Sequence, residues 1–120
     1  VRDADKLDII ASILEQLESD AQPLRAKLMH CERVPGAYSE AACEAIRQGR
    51  IGDYRDLRFE NDFKLLLASW VFDLTHAHAV AALAKRGYLE RVFATLPDDA
   101  TMAEMRRLVE AEVARRTAAG

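Results

Sequence analysis

The chain has 120 residues, half of them hydrophobic, and its 17 basic and 20 acidic residues give a net charge of -3. This length suits one domain, or the larger part of one. The balanced charge argues against a nucleic-acid-binding surface, which needs a basic excess on one face, and it disfavours binding to an anionic membrane.

A first helix is predicted from about Asp3 to Ser19. It contains apolar residues at intervals of three and four, which share one helical face: Leu7, Ile10, Leu14 and Leu17. Pro23 suits the first turn of a short second helix through Leu24, Leu28 and Met29. Val34, Pro35 and Gly36 then predict a turn.

A third helix is predicted to begin at Ser39, a favourable N-cap, and to stop at Gly49. Residues Arg50 to Arg58 are expected to form a connecting loop. The strongest apolar segment follows and is predicted to be the central helix, buried nearly all round. Its apolar stripe comprises Phe63, Leu66, Leu67, Trp70, Val71 and Leu74.

Three further segments complete the pattern. A helix from about Thr75 to Arg86 is expected to close at Gly87 in a left-handed conformation, and a short amphipathic turn follows from Tyr88 to Leu96. The last helix is predicted to start at Thr101 with a capping box to Glu104 and to fray from Thr117 onward. Its buried face should comprise Met102, Met105, Val109 and Val113. Nothing alternates with period two, so we predict an all-α bundle of about five to six helices in one segment, residues 1–120.

The two cysteines, Cys31 and Cys43, form neither a CxxC pair nor a disulfide framework. They are typical of ordinary thiols in a reducing cytosol, so a cytoplasmic location is expected. No apolar run reaches the roughly 18 residues that a membrane span needs.

The acidic residues at the start of the first helix are candidates for metal binding. Asp5 and Asp8 are three residues apart and share a face, while Asp3 lies to the side or in the preceding turn. Hard divalent cations prefer such oxygen ligands. The alternative is that these carboxylates only cap the helix and offset its dipole.

The run RDADKLD resembles the last motif of the HD superfamily of metal-dependent phosphohydrolases, whose final aspartate lies in an ADxL helix. The runs DYRDLRFENDFKLLLASWVFDL and RGYLERVFATLP are similar to the C-terminal helices of one bacterial HD-domain group. The resemblance covers Arg2 to Pro97, with a weaker fit between about Ser19 and Arg33. It implies that this chain is the C-terminal part of an HD domain.

The resemblance assigns roles to two neighbouring residues. Asp5 takes the place of the final metal-ligating aspartate, and the intact domain would hold a divalent ion (Mn, Co, Mg, Fe or Zn) that activates water against a nucleotide or another phosphate ester. Lys6 is either a contact to a substrate phosphate or a solvated side chain. No residue is assigned as catalytic.

The sequence departs from the family pattern because it contains no His-Asp pair: His30 precedes Cys31, and His76 and His78 each precede an alanine. One carboxylate cannot hold a catalytic metal that needs three or more protein ligands. The resemblance implies that the first His and the His-Asp pair would lie upstream of Val1, and we expect the isolated chain to be inactive. Three explanations are open: the rest of the domain has been cut away, it belongs to another chain, or this chain is a degenerate relative.

His76 and His78 form a His-x-His pair. On one helix they would point about 200° apart and could not chelate one ion, whereas in an extended approach to a helix they could. A helix-terminal or surface role is the default expectation.

The remaining aromatic and charged residues have structural explanations. The aromatic side chains are predicted to belong to the core rather than to a ligand platform: Trp70, Phe72, Tyr88 and Phe93. Asp73 interrupts the apolar stripe and needs a partner if it is buried; the candidates are Arg55, Arg58 and Lys64.

The alternative function is a non-enzymatic helical module that assembles with itself, as a homodimer, or with another protein. A nucleic-acid-binding bundle is poorly supported, since the basic pairs Arg106-Arg107 and Arg115-Arg116 suit a helix surface and a C-terminal turn.

Overall fold

Six α-helices and two 3-10 turns make up the regular structure of a computed structural model that describes residues 3–19, 31–32, 34, 36–74 and 76–119. The 3-10 turns are Tyr54–Asp56 and Trp70–Asp73. The helices are α1 (Asp3–Ser19), α2 (Glu40–Arg47), α3 (Glu60–Ser69), α4 (Ala77–Lys85), α5 (Tyr88–Ala94) and α6 (Ala100–Ala119). The prediction of an all-α bundle is confirmed.

The main hydrophobic core lies where the six described helices meet, and α2 contributes Cys43 and Ile46 to it. The apolar periodicity of α1 works as predicted, because Leu7, Ile10 and Leu14 are all buried in this core. The α6 face also behaves as expected, with Met105 and Val109 fully buried. The aromatic residues Tyr88, Phe93, Trp70 and Phe72 belong to this core or pack against it, as the sequence predicted.

Helix α3 is the central helix, and its buried polar residues fix the loops around it. Asn61 donates a hydrogen bond to the carbonyl oxygen of Ala37 at 2.9 Å. The Ser69 hydroxyl donates to the Leu66 carbonyl at 2.6 Å and accepts the Gly52 N–H at 2.9 Å. These bonds satisfy side chains that would otherwise be costly to bury.

The apolar segment that was predicted as one helix changes conformation at Ser69. Residues Trp70–Asp73 form a 3-10 turn, and cationic side chains from other helices bind carbonyl groups of this turn and of Leu74, which follows it. Lys6 donates to the Asp73 carbonyl at 3.0 Å. Arg116 donates to the Val71 carbonyl at 3.3 Å and also to the Leu74 carbonyl. These donors replace the hydrogen bonds that a continuing helix would make.

The capping box predicted for the last helix is wrong. Helix α6 begins at Ala100, and the Asp99 carboxylate accepts the backbone N–H of Met102 at 2.8 Å, as an N-cap side chain does. Glu104 instead pairs with Arg47 of α2, whose Nε and Nη2 atoms each donate to it at 3.2 Å. The helix also continues to Ala119 rather than fraying at Thr117.

The other helix boundaries agree with the sequence to within a few residues. Ser39 immediately precedes α2, although its hydroxyl bonds Asp62 rather than a helix amide. Gly49 and Gly87 adopt the positive φ values of 68° and 72° expected after helices. The segment Tyr88–Ala94, predicted as a short amphipathic turn, is a helix. The helix predicted through Leu24, Leu28 and Met29 lies outside the described residues.

An isolated parallel bridge joins Glu32 to Phe59. Its two bonds run from the Glu32 N–H to the Arg58 carbonyl at 2.8 Å and from the Glu60 N–H to the Glu32 carbonyl at 3.0 Å. None of the described helices combines the length and the apolar composition that crossing a membrane requires.

Candidate functional site

The first turns of α1 direct two neighbouring side chains to different environments. Lys6 has a side chain that is only 15% exposed, whereas Asp5 is exposed on the surface of the bundle. Consecutive helical residues are rotated by about 100°, so the inward direction of Lys6 leaves Asp5 on the outer side of α1. Asp8, one turn after Asp5, is exposed as well.

The Lys6 ammonium group makes two hydrogen bonds to one residue. Its Nζ atom lies 2.8 Å from Oδ2 of Asp73 and 3.0 Å from the carbonyl oxygen of the same residue. Asp73 is exposed, so the condition under which Arg55, Arg58 or Lys64 was expected to pair with it is not met, and its partner is Lys6. Arg55 pairs with Asp53 at 2.7 Å, and Lys64 donates to the Thr95 carbonyl at 3.3 Å. Lys6 is engaged by the protein in this arrangement, and its proposed contact with a substrate stays a prediction.

The outer face of α1 carries an exposed apolar residue beside the acidic ones. Ile9 is 41% exposed and lies one turn after Asp5, on the same side of the helix. The next residue, Ile10, is buried in the core, so Ile9 is exposed because it lies on the solvent-facing side of α1. Acidic and apolar side chains thus share the surface on which Asp5 lies.

The described residues do not by themselves form a metal site around Asp5. No group of three or more histidine, cysteine, aspartate or glutamate side chains that could hold an ion occurs in the part of the chain that the structure describes. A catalytic metal normally needs at least three protein ligands. The assignment of Asp5 as a metal ligand therefore depends on donors from elsewhere and stays a prediction.

His76 and His78 lie close together at the start of α4. His76 is the N-cap residue, with an extended backbone at φ -111° and ψ 138°, and His78 is the second helical residue. Their ring centroids are 5.3 Å apart, and both residues are exposed. The backbone at His76 is therefore extended, and the two histidines do not lie within one continuous helix.

The two cysteines are poor nucleophiles in this fold. Burial raises the pKa of the Cys43 thiol to about 11, and the neighbouring Glu40 carboxylate adds to the effect. Burial also raises the pKa of Cys31. Since the thiolate is the reactive form, neither side chain suits nucleophilic catalysis near neutral pH.

A surface groove of about 260 Å³ lies away from Asp5 and Lys6. An ion pair between Arg106 and Glu110 lies on this groove, with Nε and Oε1 2.6 Å apart. Its lining is apolar and charged: Ala84, Leu89, Glu90, Arg106, Glu110, Val113 and Ala114. Neither of the site residues predicted from the sequence contributes to it.

No family model, curated protein or solved structure matches this chain. The resemblance to the HD superfamily therefore depends on the residue runs quoted above.

One buried polar centre, around Asp62, was not predicted from the sequence. Asp62 is fully buried and accepts hydrogen bonds from the backbone N–H groups of Ser39, Arg58 and Phe59 at 2.6, 3.0 and 3.0 Å, and from the Ser39 hydroxyl. Its only sequence signal is an acid at the third position of a helix, where a side chain often bonds the N-cap amide. The donors from Ser39 could not be predicted, because they come from a segment 23 residues away.

Proposed function

We propose that this chain is the C-terminal helical portion of an HD-type, metal-dependent phosphohydrolase that acts on a nucleotide or another phosphate ester. The observation that carries the proposal is the contact between Lys6 and Asp73. These residues belong to the two separate runs that resemble the family, RDADKLD and the run ending in SWVFDL. Two segments 67 residues apart meet through hydrogen bonds of 2.8 and 3.0 Å.

The direction of Asp5 agrees with a shared site. Because Lys6 is held inward by Asp73, Asp5 faces outward, where its carboxylate is accessible to donors supplied by another segment. The exposed Ile9 on the same face would gain from being covered by such a segment, since burying an apolar side chain is favourable. Asp5 is therefore proposed as one contributor to a metal site, and no catalytic step is assigned to the described residues alone.

The test uses the complete translated product of the gene that encodes this chain. We expect phosphatase activity that depends on Mn²⁺ or Co²⁺, and we expect Asp5→Asn to lower it by about 100-fold or more, because the amide is a poor replacement for a ligating carboxylate. Asp98→Asn is the control, since Asp98 is also an exposed aspartate but lies outside the run RDADKLD, and the activity of this variant should stay within about twofold of the wild type. Equal activity of the Asp5→Asn and wild-type proteins would refute the assignment.

Kinetics can separate the two roles of Lys6. If Lys6 contacts substrate phosphate, Lys6→Met should raise KM, while Asp73→Asn should leave KM nearly unchanged because it removes only the internal partner. If Lys6 serves only the ion pair, both variants should lower stability and neither should change KM. This comparison tests the substrate-binding role independently of the metal.

The second candidate is a helical module that associates with itself or with another protein. The observation that favours it is the exposure of large apolar side chains, with Ile9, Val34 and Ile51 each more than a third exposed. Light scattering of the purified 120-residue chain tests this function. A concentration-dependent dimer that Ile9→Glu disrupts would support it, and a monomer at all concentrations would contradict self-association.

A further inference from the structure

We propose that His76 and His78 form a two-imidazole chelating site for a borderline divalent transition-metal ion such as Cu²⁺, Ni²⁺ or Zn²⁺. This site is separate from the proposed metal site at Asp5 and does not depend on the proposed function. It offers two imidazole nitrogens, which borderline transition-metal ions prefer, whereas the carboxylate oxygen of Asp5 suits a harder ion.

The local backbone explains why residues two apart in sequence can serve one ion. In a continuous helix the two side chains would diverge by about 200°. Here His76 precedes the helix with an extended backbone, and only His78 lies within the first turn. The change of conformation between them brings both rings to the same side of the helix start.

The separation of the rings fits a shared ion. A metal–nitrogen distance of about 2.0–2.1 Å and an angle of about 90–110° at the metal place two imidazole centroids about 4.5–5.3 Å apart. The observed separation is 5.3 Å, with the ring planes tilted by 42°. The ring centroids therefore already lie at a separation that one shared ion requires.

The exposure of both histidines leaves the site open to solvent. An ion bound there would keep further coordination positions for water or for a small anionic ligand. It would also link the residue before α4 to the first turn of that helix.

The experiment is calorimetric titration of the full chain with Cu²⁺ and Ni²⁺, with electron paramagnetic resonance of the Cu²⁺ form. The variants are His76→Asn, which supplies a favourable N-cap without an imidazole, and His78→Gln, which retains helix propensity. His30→Gln is the matched control, because His30 is the one histidine of the sequence outside the proposed pair. The double variant gives the background from all other groups.

We expect each single variant to weaken Cu²⁺ binding by about tenfold or more, since removing one imidazole abolishes the advantage of two tethered ligands. The resonance spectrum should show two coupled imidazole nitrogens in the wild type and one in each single variant, and His30→Gln should match the wild type. Affinities within twofold of the wild type for both His76→Asn and His78→Gln would overturn the proposal. So would a wild-type spectrum with a single imidazole, which does not depend on the stability of any variant.

Discussion

Lys6 and Asp73 form an ion pair of unequal burial, in which the lysine side chain is 15% exposed and the aspartate side chain is 48% exposed. The lysine nitrogen also donates a hydrogen bond to the carbonyl oxygen of Asp73. Replacing Lys6 by an uncharged residue would therefore remove this hydrogen bond as well as the ion pair. The pair joins the start of α1 to the turn after α3. It therefore anchors the turn that precedes α4 to the start of α1, on a side of the helix that differs from the exposed side of Asp5.

Removing the charge of Lys6 should destabilise the protein measurably. We expect Lys6→Met, which preserves the apolar stem, to lower the free energy of unfolding by about 1 kcal/mol, because a partly buried, charge-assisted hydrogen bond is lost. Urea denaturation of Lys6→Met, Asp73→Asn and the double variant should give a coupling energy of about 0.5–1 kcal/mol. The matched control is the exposed pair of Arg106 and Glu110, where coupling should be at most about 0.5 kcal/mol. Equal coupling in the two pairs would contradict a special role for Lys6.

Asp62 should be among the most sensitive positions in the chain. Asp62→Ala leaves its N–H and O–H donors unsatisfied in a buried environment, and we expect a loss of about 3 kcal/mol or more in unfolding free energy. Ser39→Ala removes only the hydroxyl donor and should cost about 1 kcal/mol, which gives a measurement even if the first variant does not fold. The exposed Asp98 provides the control, because Asp98→Asn should change stability by less than about 0.5 kcal/mol. A similar effect for Asp62→Ala and Asp98→Asn would show that the buried hydrogen bonds are unimportant.

The N-cap of α6 can be identified by mutation. We expect Asp99→Ala to cost about 1–2 kcal/mol in urea denaturation, because it removes the acceptor for the Met102 N–H, whereas Thr101→Val should cost less than half of that. Tyr38→Phe is needed as a control, since the Tyr38 hydroxyl also donates to Asp99 at 2.9 Å. A larger loss of unfolding free energy for Thr101→Val than for Asp99→Ala would instead support the capping box predicted from the sequence, with Thr101 as its first residue.

The buried thiol of Cys43 should make stability depend on pH in the alkaline range. Burial raises its pKa in the folded protein from 9.0 to about 11, so the unfolded chain loses this proton first. The stabilising contribution is complete below about pH 9 and is lost as the pH rises toward 11, by up to about 3 kcal/mol.

The measurement for this prediction is the difference in unfolding free energy between the wild type and Cys43→Ala at several pH values. The cavity left by the substitution contributes a constant offset. The difference between the two proteins should narrow between pH 9 and 11, and a pH-independent difference would contradict the raised pKa. Iodoacetamide should accordingly label Cys43 far more slowly in the folded protein than in urea.

The sequence by itself determined the features that depend on neighbouring residues. The apolar spacing in α1 predicted a helix from Asp3 to Ser19 and the burial of Leu7, Ile10 and Leu14. Gly49 and Gly87 were recognisable as helix ends because a left-handed conformation favours a residue without a side chain. Periodicity and backbone preference operate within one or two turns, so a linear sequence contains them in full.

Only the tertiary structure decided which distant polar groups meet. Asp73 binds Lys6 rather than a closer cation, and Glu104 binds Arg47 instead of capping its own helix. The approach of His76 to His78 likewise required the conformation of the backbone between them. For each of these residues the sequence offers several oppositely charged partners. Which of them it binds depends on how the helices pack in three dimensions.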